Sequence, residues 1–239
     1  MTTELDGRTA VVTGASRGIG AGIARALARE GVRVMMLARN EARLRETAKG
    51  LKGALPIACD VSDPKGVERA VKQIQKELGA APDILVNNAG IFGVSPVEDT
   101  TTDFFVDTIN INLVGPFLFV RAFLADMKAR GSGDIVTIGS IADRHIFAGN
   151  AAYSAAKFGL RAVHEVLRAE LRGTGVRASL ISPAATDTDI WNAVTIDDPG
   201  GNRSPKRPML DPDDVVAAVM FALTQPQRVN VDELRLSRS

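Results

Sequence analysis

The chain has 239 residues, of which 45% are hydrophobic, and this is enough to build one large α/β core. Its 29 Lys and Arg residues against 28 Asp and Glu residues give a formal net charge of +1, so we expect neither nucleic acid nor a membrane surface as a partner. One cysteine and two histidines exclude disulfide frameworks and His/Cys zinc sites, and we expect no metal.

The chain carries no evident targeting segment, and we expect no apolar stretch of about 18 residues that could cross a bilayer. Residues 1–8 are polar and lead directly into a strand-like segment. We therefore predict a cytoplasmic protein. Cys59 follows an apolar run and is expected to be a buried, inert thiol.

Short apolar runs rich in β-branched and aliphatic residues predict strands along the chain. The runs are continuous rather than alternating with polar residues, which is typical of parallel strands that helices cover on both faces. The predicted strands are 9–13, 32–37, 55–58, 84–86, 134–138, 176–181 and a last short one in 231–236.

Segments with helical spacing lie between these strands. The predicted helices are 18–30, 41–49, 64–78, 104–130 and 151–172. Strand and helix alternate about six times, which predicts a Rossmann-like, doubly wound α/β fold: a parallel sheet of about seven strands with helices on both faces. No linker or repeat divides the sequence, so residues 1–239 are predicted to form a single domain.

Residues 186–208 form an irregular stretch rich in Asp, Gly, Pro and Asn. The stretch follows the carboxyl end of a late strand and is too long for a simple connector, so we interpret it as a lid over a substrate. A plain surface loop is the alternative. Within it, Trp191 either covers the substrate or anchors the lid to the core.

Three glycines cluster where the first predicted strand turns into the first helix: Gly14, Gly18 and Gly20, with Ser16, Arg17 and Ile19 between them. Glycines allow a tight turn and a close approach of the backbone to a pyrophosphate, while the helix N-terminus offers unpaired N–H groups. This position in the strand–turn–helix unit predicts a dinucleotide-binding loop rather than a merely structural turn.

The end of the second predicted strand indicates which dinucleotide is bound. A carboxylate is expected there when the ribose 2′-hydroxyl is free, but the sequence has Ala38 followed by Arg39. Arg39, with Arg17 from the loop, could hold a 2′-phosphate, so the predicted cofactor is NADP(H). Both arginines could instead be solvated surface charges.

Tyr153 and Lys157 are four residues apart on a predicted helix, so both face the same side. A nearby ammonium favours the phenolate, and we expect it to lower the tyrosine pKa towards the working range. Ser140 follows a predicted strand, where its hydroxyl would stand at the carboxyl end of the sheet. Together, Ser140, Tyr153 and Lys157 predict a site for acid–base catalysis.

With these motifs in order, the chain resembles the short-chain dehydrogenase/reductase family over nearly its whole length. The segments that carry the resemblance are 13–20, 59–61, 87–90, 112–115, Ser140, Tyr153 and Lys157. The resemblance implies that Tyr153 is the proton donor and acceptor, that Ser140 polarises the carbonyl, and that Lys157 holds the nicotinamide ribose while lowering the tyrosine pKa. It also implies that Asn112 supports a water linked to Lys157.

Further cofactor contacts are implied by the same resemblance. Asp60 would hydrogen-bond the adenine and Val61 would flank it, whereas Asn88, Ala89 and Gly90 would lie beside a ribose. The chain departs from the family pattern with Ser179, Pro183 and Ala184 after the sixth strand, and Ala184 permits less backbone freedom than glycine. Thr186 and Thr188 remain available for the carboxamide or the phosphates.

The sequence therefore predicts an NADP(H)-dependent carbonyl reductase or alcohol dehydrogenase, with 3-oxoacyl or 3-hydroxy substrates among the candidates. The alternative is a sensor or regulatory protein that binds NADP(H) without turnover. The substrate itself stays open, because the residues expected to shape its pocket carry no distinctive code: Ser95, Ala142, His145, Ile146, Phe147 and the irregular stretch. His164 is expected to have no chemical role.

Apolar residues on 104–130 and 151–172 spread beyond one stripe, so each helix is expected to bury a second face. We predict a homotetramer, or else a dimer. The family resemblance implies that these same two helices form the contacts between subunits. Packing of these residues within one chain is the alternative.

Overall fold

The computed structural model of the protein describes residues 5–193 and 209–239. Within them seven parallel strands form one sheet in the order β3-β2-β1-β4-β5-β6-β7, which confirms the predicted Rossmann-like fold. The strands are β1 (Thr9–Thr13), β2 (Arg33–Ala38), β3 (Ala54–Ala58), β4 (Ile84–Asn87), β5 (Gly133–Ile138), β6 (Val176–Pro183) and β7 (Glu233–Leu236).

Helices cover both faces of the sheet. They are α1 (Gly18–Arg29), α2 (Glu41–Ala48), α3 (Pro64–Leu78), α4 (Thr102–Ile109), α5 (Gly115–Arg130), α6 (Ala151–Glu170) and α7 (Pro212–Leu223). One apolar layer joins the sheet to α1 and α7, and the other joins it to α3, α5 and the end of α6. The strands that these layers enclose are almost entirely buried, as continuous apolar runs require.

The predicted helix 104–130 is wrong as a single helix. The structure has α4 and α5, joined by one π turn at Asn110–Val114 in which the Gly115 N–H bonds to the Asn110 carbonyl, five residues back. Pro116 has no N–H to give to the carbonyl four residues before it, so the regular α-helical ladder is interrupted at this point. The interruption includes Asn112, one of the candidate functional residues.

The same region corrects the expectation that no segment could cross a bilayer. By length and composition alone, Thr102–Arg130 is apolar enough to do so. In the structure, Phe119 and Phe123 of this segment are fully buried against the sheet and α3. A core helix of this fold has the same composition, and the packing shows that Thr102–Arg130 contains the core helix α5.

Only part of the predicted lid 186–208 can be described. Thr186 forms an isolated β-bridge with Leu210, and a 3₁₀ turn follows at Asp189–Ala193. Residues 194–208 lie outside the described part of the chain. The Trp191 indole donates a hydrogen bond to the Thr186 carbonyl at 2.9 Å, which ties the 3₁₀ turn back to the bridge residue.

Candidate active site and cofactor cleft

The carboxyl end of β5 and the first turns of α6 bring together three of the predicted site residues. Lys157 Nζ lies 5.6 Å from the centre of the Tyr153 ring and donates a 2.9 Å hydrogen bond to the Ile138 carbonyl, the last in β5. Ser140 follows two residues later, and its hydroxyl is within hydrogen-bonding reach of the Tyr153 phenol. The constellation joins a hydroxyl, a phenol and an ammonium.

The pKa of Tyr153 is raised to about 12, mainly because burial disfavours the phenolate. The hydrogen bond with Ser140 acts in the opposite direction, and the Asp143 carboxylate adds to the increase. This contradicts the expectation that the lysine four residues away lowers the tyrosine pKa, because desolvation dominates here. Burial also lowers the pKa of Lys157 to about 8, against the effect of Asp143.

Asn112 lies in the π turn and fixes the loop after β4. Its side-chain oxygen accepts from the Ile91 N–H at 3.1 Å, and its side-chain nitrogen donates to the Ile91 carbonyl at 2.9 Å. A Cβ on Gly90 would lie 2.6 Å from that oxygen, so only glycine fits beside this amide. Asn112 therefore holds the predicted ribose-side segment in place.

The glycine loop packs directly on the loop after β4. Gly14 has a φ of 68°, and a Cβ there would lie 2.9 Å from the Ala89 Cα, so the turn needs glycine for both its conformation and its contact. Thr13 Oγ1 accepts from the N–H groups of Asn88 and Ala89, each at 3.0 Å. Asn88 returns a 2.9 Å side-chain hydrogen bond to the Thr13 carbonyl.

Other predicted cofactor residues line the same edge of the sheet. The Ser16 carbonyl accepts a hydrogen bond from α2. Gly18, Ile19 and Gly20 form the first turn of α1, and Gly18 faces the Thr188 side chain. Pro183 ends β6, while Thr186 is buried and donates to the Ala184 carbonyl at 3.0 Å. Val61 is buried against Gly115. The predicted set thus follows one continuous edge from β3 to β6.

Arg39 and Asp60 lie on a cavity of about 540 Å³ between the ends of β2 and β3 and helix α3. Partial burial acts to raise the pKa of Asp60, but hydrogen bonds from Ser62 and the charge of Arg39 outweigh it, so the pKa lies below its ordinary value. Cys59 shares the cavity wall, and burial raises the pKa of this thiol to about 11, which fits the expected inert thiol.

Arg17 and Arg43 stand beside the glycine loop and share one carboxylate partner. Asp189 accepts from Arg43 of α2 at 2.7 Å, and Arg17 approaches the same carboxylate at 3.7 Å. The Arg43 hydrogen bond is the main reason that the pKa of Asp189 is lowered. Sequence reasoning missed Arg43, because it meets Asp189 only through the fold and no local motif marks it.

Aromatic side chains form one wall of the candidate site. The Phe92 ring makes edge contacts with Tyr153 at 4.9 Å and with Trp191 at 4.8 Å, measured between ring centres. Phe92 carries no motif that would have revealed it in the sequence. His145, Ile146 and Phe147, which were predicted to shape the pocket, are exposed in the loop after β5.

Neither histidine takes part in this site. His164 is buried on α6 with both ring nitrogens unpaired, and burial lowers its pKa to about 4. Among the residues that the structure describes, no three His, Cys, Asp or Glu side chains are grouped to hold a metal ion. The polar groups at the sheet edge are instead hydroxyls, amides and guanidinium groups.

Comparison with known proteins agrees with this arrangement. A sequence model described as short chain dehydrogenase matches residues 8–199. This chain belongs to the short-chain dehydrogenase/reductase family. An uncharacterized oxidoreductase of Staphylococcus saprophyticus is 35% identical over 241 residues, covering 97% of both chains. This member of the family is accordingly an oxidoreductase.

Two further relatives indicate the breadth of the similarity. A glycine betaine reductase of Emericella nidulans is 38% identical over 241 residues, which cover 96% of this dehydrogenase/reductase but only 18% of that longer protein. A metagenomic short-chain oxidoreductase solved in complex with NADP has a TM-score of 0.82 and 33% identity, covering 98% of this chain and 99% of the other.

Proposed function

We propose that this protein is an NADP(H)-dependent oxidoreductase that interconverts a carbonyl and a CH–OH group. The observation that supports this most directly is the convergence of Ser140, Tyr153 and Lys157 beside the glycine loop. A sensor that only binds the nucleotide would have no need for a half-buried phenol with a hydroxyl and an ammonium around it. We therefore favour turnover.

In the proposed reduction, Tyr153 donates its phenolic proton to the substrate oxygen. Its raised pKa keeps the phenol protonated at neutral pH, which is the state a proton donor needs. Ser140, next to the phenol, is placed to donate a hydrogen bond to the same oxygen and to stabilise its developing negative charge. When bound, the nicotinamide supplies or accepts the hydride at the substrate carbon.

Lys157 and Asn112 act around this centre. With a pKa of about 8, Lys157 is largely charged at neutral pH, and its three donors leave two available beyond the bond to Ile138 for a ribose. Asn112 fixes the loop on which the ribose would rest. Phe92 and Trp191 place an aromatic surface beside the phenol, which favours a substrate with an apolar flank.

We propose NADP(H) rather than NAD(H) because guanidinium groups stand where a ribose-binding carboxylate would be needed. Arg39 borders the cavity of about 540 Å³, and Arg17 already holds a carboxylate together with Arg43. The proposed cofactor residues are Gly14, Ser16, Arg17, Gly18, Ile19, Gly20, Arg39, Asp60, Val61, Asn88, Ala89, Gly90, Tyr153, Lys157, Pro183, Thr186 and Thr188. The structural relative solved with NADP supports the same choice.

The whole chain is proposed to serve this one site. Residues 1–239 would form a single NADP(H)-binding domain, with 186–208 as a lid that Trp191 joins to the aromatic wall. The experiment that tests the function is a panel of carbonyl and alcohol substrates assayed with NADPH, NADH and their oxidised forms. Substrate-dependent change in nicotinamide absorbance is expected. Tight NADPH binding without turnover of any panel member would favour the sensor instead.

A further inference from the structure

A buried carboxylate lies directly behind the candidate acid–base group and has no part in the chemistry proposed above. Asp143 has 0% of its surface exposed and sits in the 3₁₀ turn Ile141–Asp143 that follows Ser140. It accepts a 2.6 Å hydrogen bond from Ser182 Oγ and a 2.7 Å hydrogen bond from Arg144 Nε. A buried charge is costly unless it is held in this manner.

The backbone next to the acid–base group leaves space for this carboxylate. A Cβ on Gly139 would lie 2.7 Å from Ser182 Oγ and 3.0 Å from Asp143 Oδ2, so the two side chains occupy the place of the missing side chain. Gly139 joins Ile138, whose carbonyl anchors Lys157, to Ser140, which contacts Tyr153. The Asp143 carboxylate therefore packs on the peptide segment that positions the whole group.

The positive partner of Asp143 does not cancel its charge. Arg144 also forms an ion pair with Glu233 at the start of β7, so one guanidinium group is shared by two carboxylates and the cluster carries one net negative charge. Asp143, at the inner end of this cluster, is fully buried, where charge–charge interactions are only weakly screened. Accordingly, Asp143 raises the pKa of both Tyr153 and Lys157.

The other elements packed on the start of α6 offer no comparable buried charge. The π turn and the part of β6 next to Ser182 carry no ionisable side chain, and the acidic residues of α4 are exposed. Arg177 of β6 is bound to Asp134 at the opposite end of the sheet. Other ionisable groups on this side of the described chain include Arg144, Glu233, Asp187, Asp189, the exposed Arg235 of β7 opposite Ser182 and, further along α6, Arg161 and the uncharged His164.

We propose that Asp143 is a positioning residue that tunes the proton transfer, its buried carboxylate packing on the Gly139 backbone between the Lys157 anchor and Ser140. This inference rests on the proposed role of Tyr153 as acid and base. It predicts an enzyme whose proton-donating state persists to high pH, which favours reduction of a carbonyl over oxidation of an alcohol near neutrality.

The test compares the pH dependence of alcohol oxidation in two variants, one that removes a negative charge and one that removes a positive charge. In Asp143→Asn the phenol should lose its proton more easily, so the rise of alcohol oxidation with pH should move to lower pH by about half a unit to one unit. Arg144→Gln removes the positive partner that Asp143 and Glu233 share, so the rise of alcohol oxidation with pH should move to higher pH. Asp134→Asn is the matched control, because Asp134 is also a buried carboxylate paired with arginine but lies at the far end of β5.

The outcomes separate this inference from the proposed function. Opposite shifts in Asp143→Asn and Arg144→Gln, with no shift in Asp134→Asn, support it, whereas equal profiles or shifts in the same direction overturn it. If Asp143→Asn does not fold, the sign of the Arg144→Gln shift decides. Tyr153 is the only tyrosine, so its near-ultraviolet titration gives a second readout independent of turnover. Full activity in Tyr153→Phe would refute the proposed function itself.

Discussion

Lys157 places its ammonium 5.6 Å from the centre of the Tyr153 ring, while the hydrogen bond it makes within the described residues goes to the Ile138 carbonyl. The lysine is thus fixed by the last residue of β5 rather than by the phenol. Its effect on Tyr153 must come through its charge and through the groups that it orients. The two roles proposed for Lys157, towards the phenol and towards a ribose, can be followed by two measurements, the turnover rate and the affinity for NADPH.

Replacing Lys157 with Ala should reduce both the turnover rate and the affinity for NADPH, because the same ammonium serves both. The rate should fall by about 10²-fold or more, as expected when a positioned charge is lost from a proton-transfer site. Stopped-flow kinetics and fluorescence titration with NADPH measure the two effects. Lys157→Arg is the control that keeps the charge. NADPH affinity unchanged in Lys157→Ala would rule out the ribose role.

The choice between cofactors can be tested at the end of β2. NADPH should be used in preference to NADH, and Ala38→Asp should reverse that preference by repelling the 2′-phosphate while accepting from a free hydroxyl. Arg39→Ala should lower kcat/KM for NADPH and leave that for NADH nearly unchanged. Arg33→Ala, exposed at the other end of β2, is the control. Equal kcat/KM for both cofactors in the parent protein would contradict the role of Arg39.

His164 makes the folded state sensitive to acid. Its folded pKa of about 4 lies below the ordinary value of 6.5, so below pH 6.5 the unfolded chain takes up a proton that the native chain does not. Stability should therefore fall between pH 6.5 and 4, by at most about 3 kcal/mol. Urea unfolding of His164→Leu should show a weaker dependence over this range. The exposed His145→Gln is the control, and a profile like that of the parent in His164→Leu would contradict the prediction.

The outer helices are proposed to form a subunit interface. Exposed apolar side chains occur on all three helices of this side: Phe105 and Val106 on α4, Phe117 on α5, and Phe158 and Val166 on α6. We expect a tetramer, or else a dimer, about two-fold axes. Phe117→Asp or Val163→Asp should lower the mass measured by light scattering and also the activity. A mass near 25.3 kDa for the parent protein would refute the prediction.

The sequence predicted the sheet well because its strands are short, continuous apolar runs with unambiguous patterns. The prediction of one helix over 104–130 was wrong, because Pro116 interrupts this apolar segment and divides it into α4 and α5. Helix α7 was not assigned, although Asp211 and Pro212 mark its start with a capping box. The raised pKa of Tyr153 could not be foreseen, because burial and Asp143 act on it from the tertiary structure.

Phe92 and Arg43 show a second limit. Both approach the candidate site only through the fold: Phe92 in the loop after β4 meets Tyr153 of α6, and Arg43 meets Asp189 across the cleft. A ring or a guanidinium group in a helix or loop carries no local signature of such contacts. The motif residues were predictable because the turn, the strand end and the helical spacing each constrain them locally.

The most direct test of the proposed mechanism is the Tyr153→Phe variant. The substitution removes only the phenolic oxygen and leaves the ring contact with Phe92, so the fold and NADPH affinity should be retained while kcat falls by about 10³-fold or more. Single-turnover kinetics, with NADPH affinity measured by fluorescence in the same sample, give both quantities. A turnover rate close to that of the parent protein, with NADPH bound, would contradict the account.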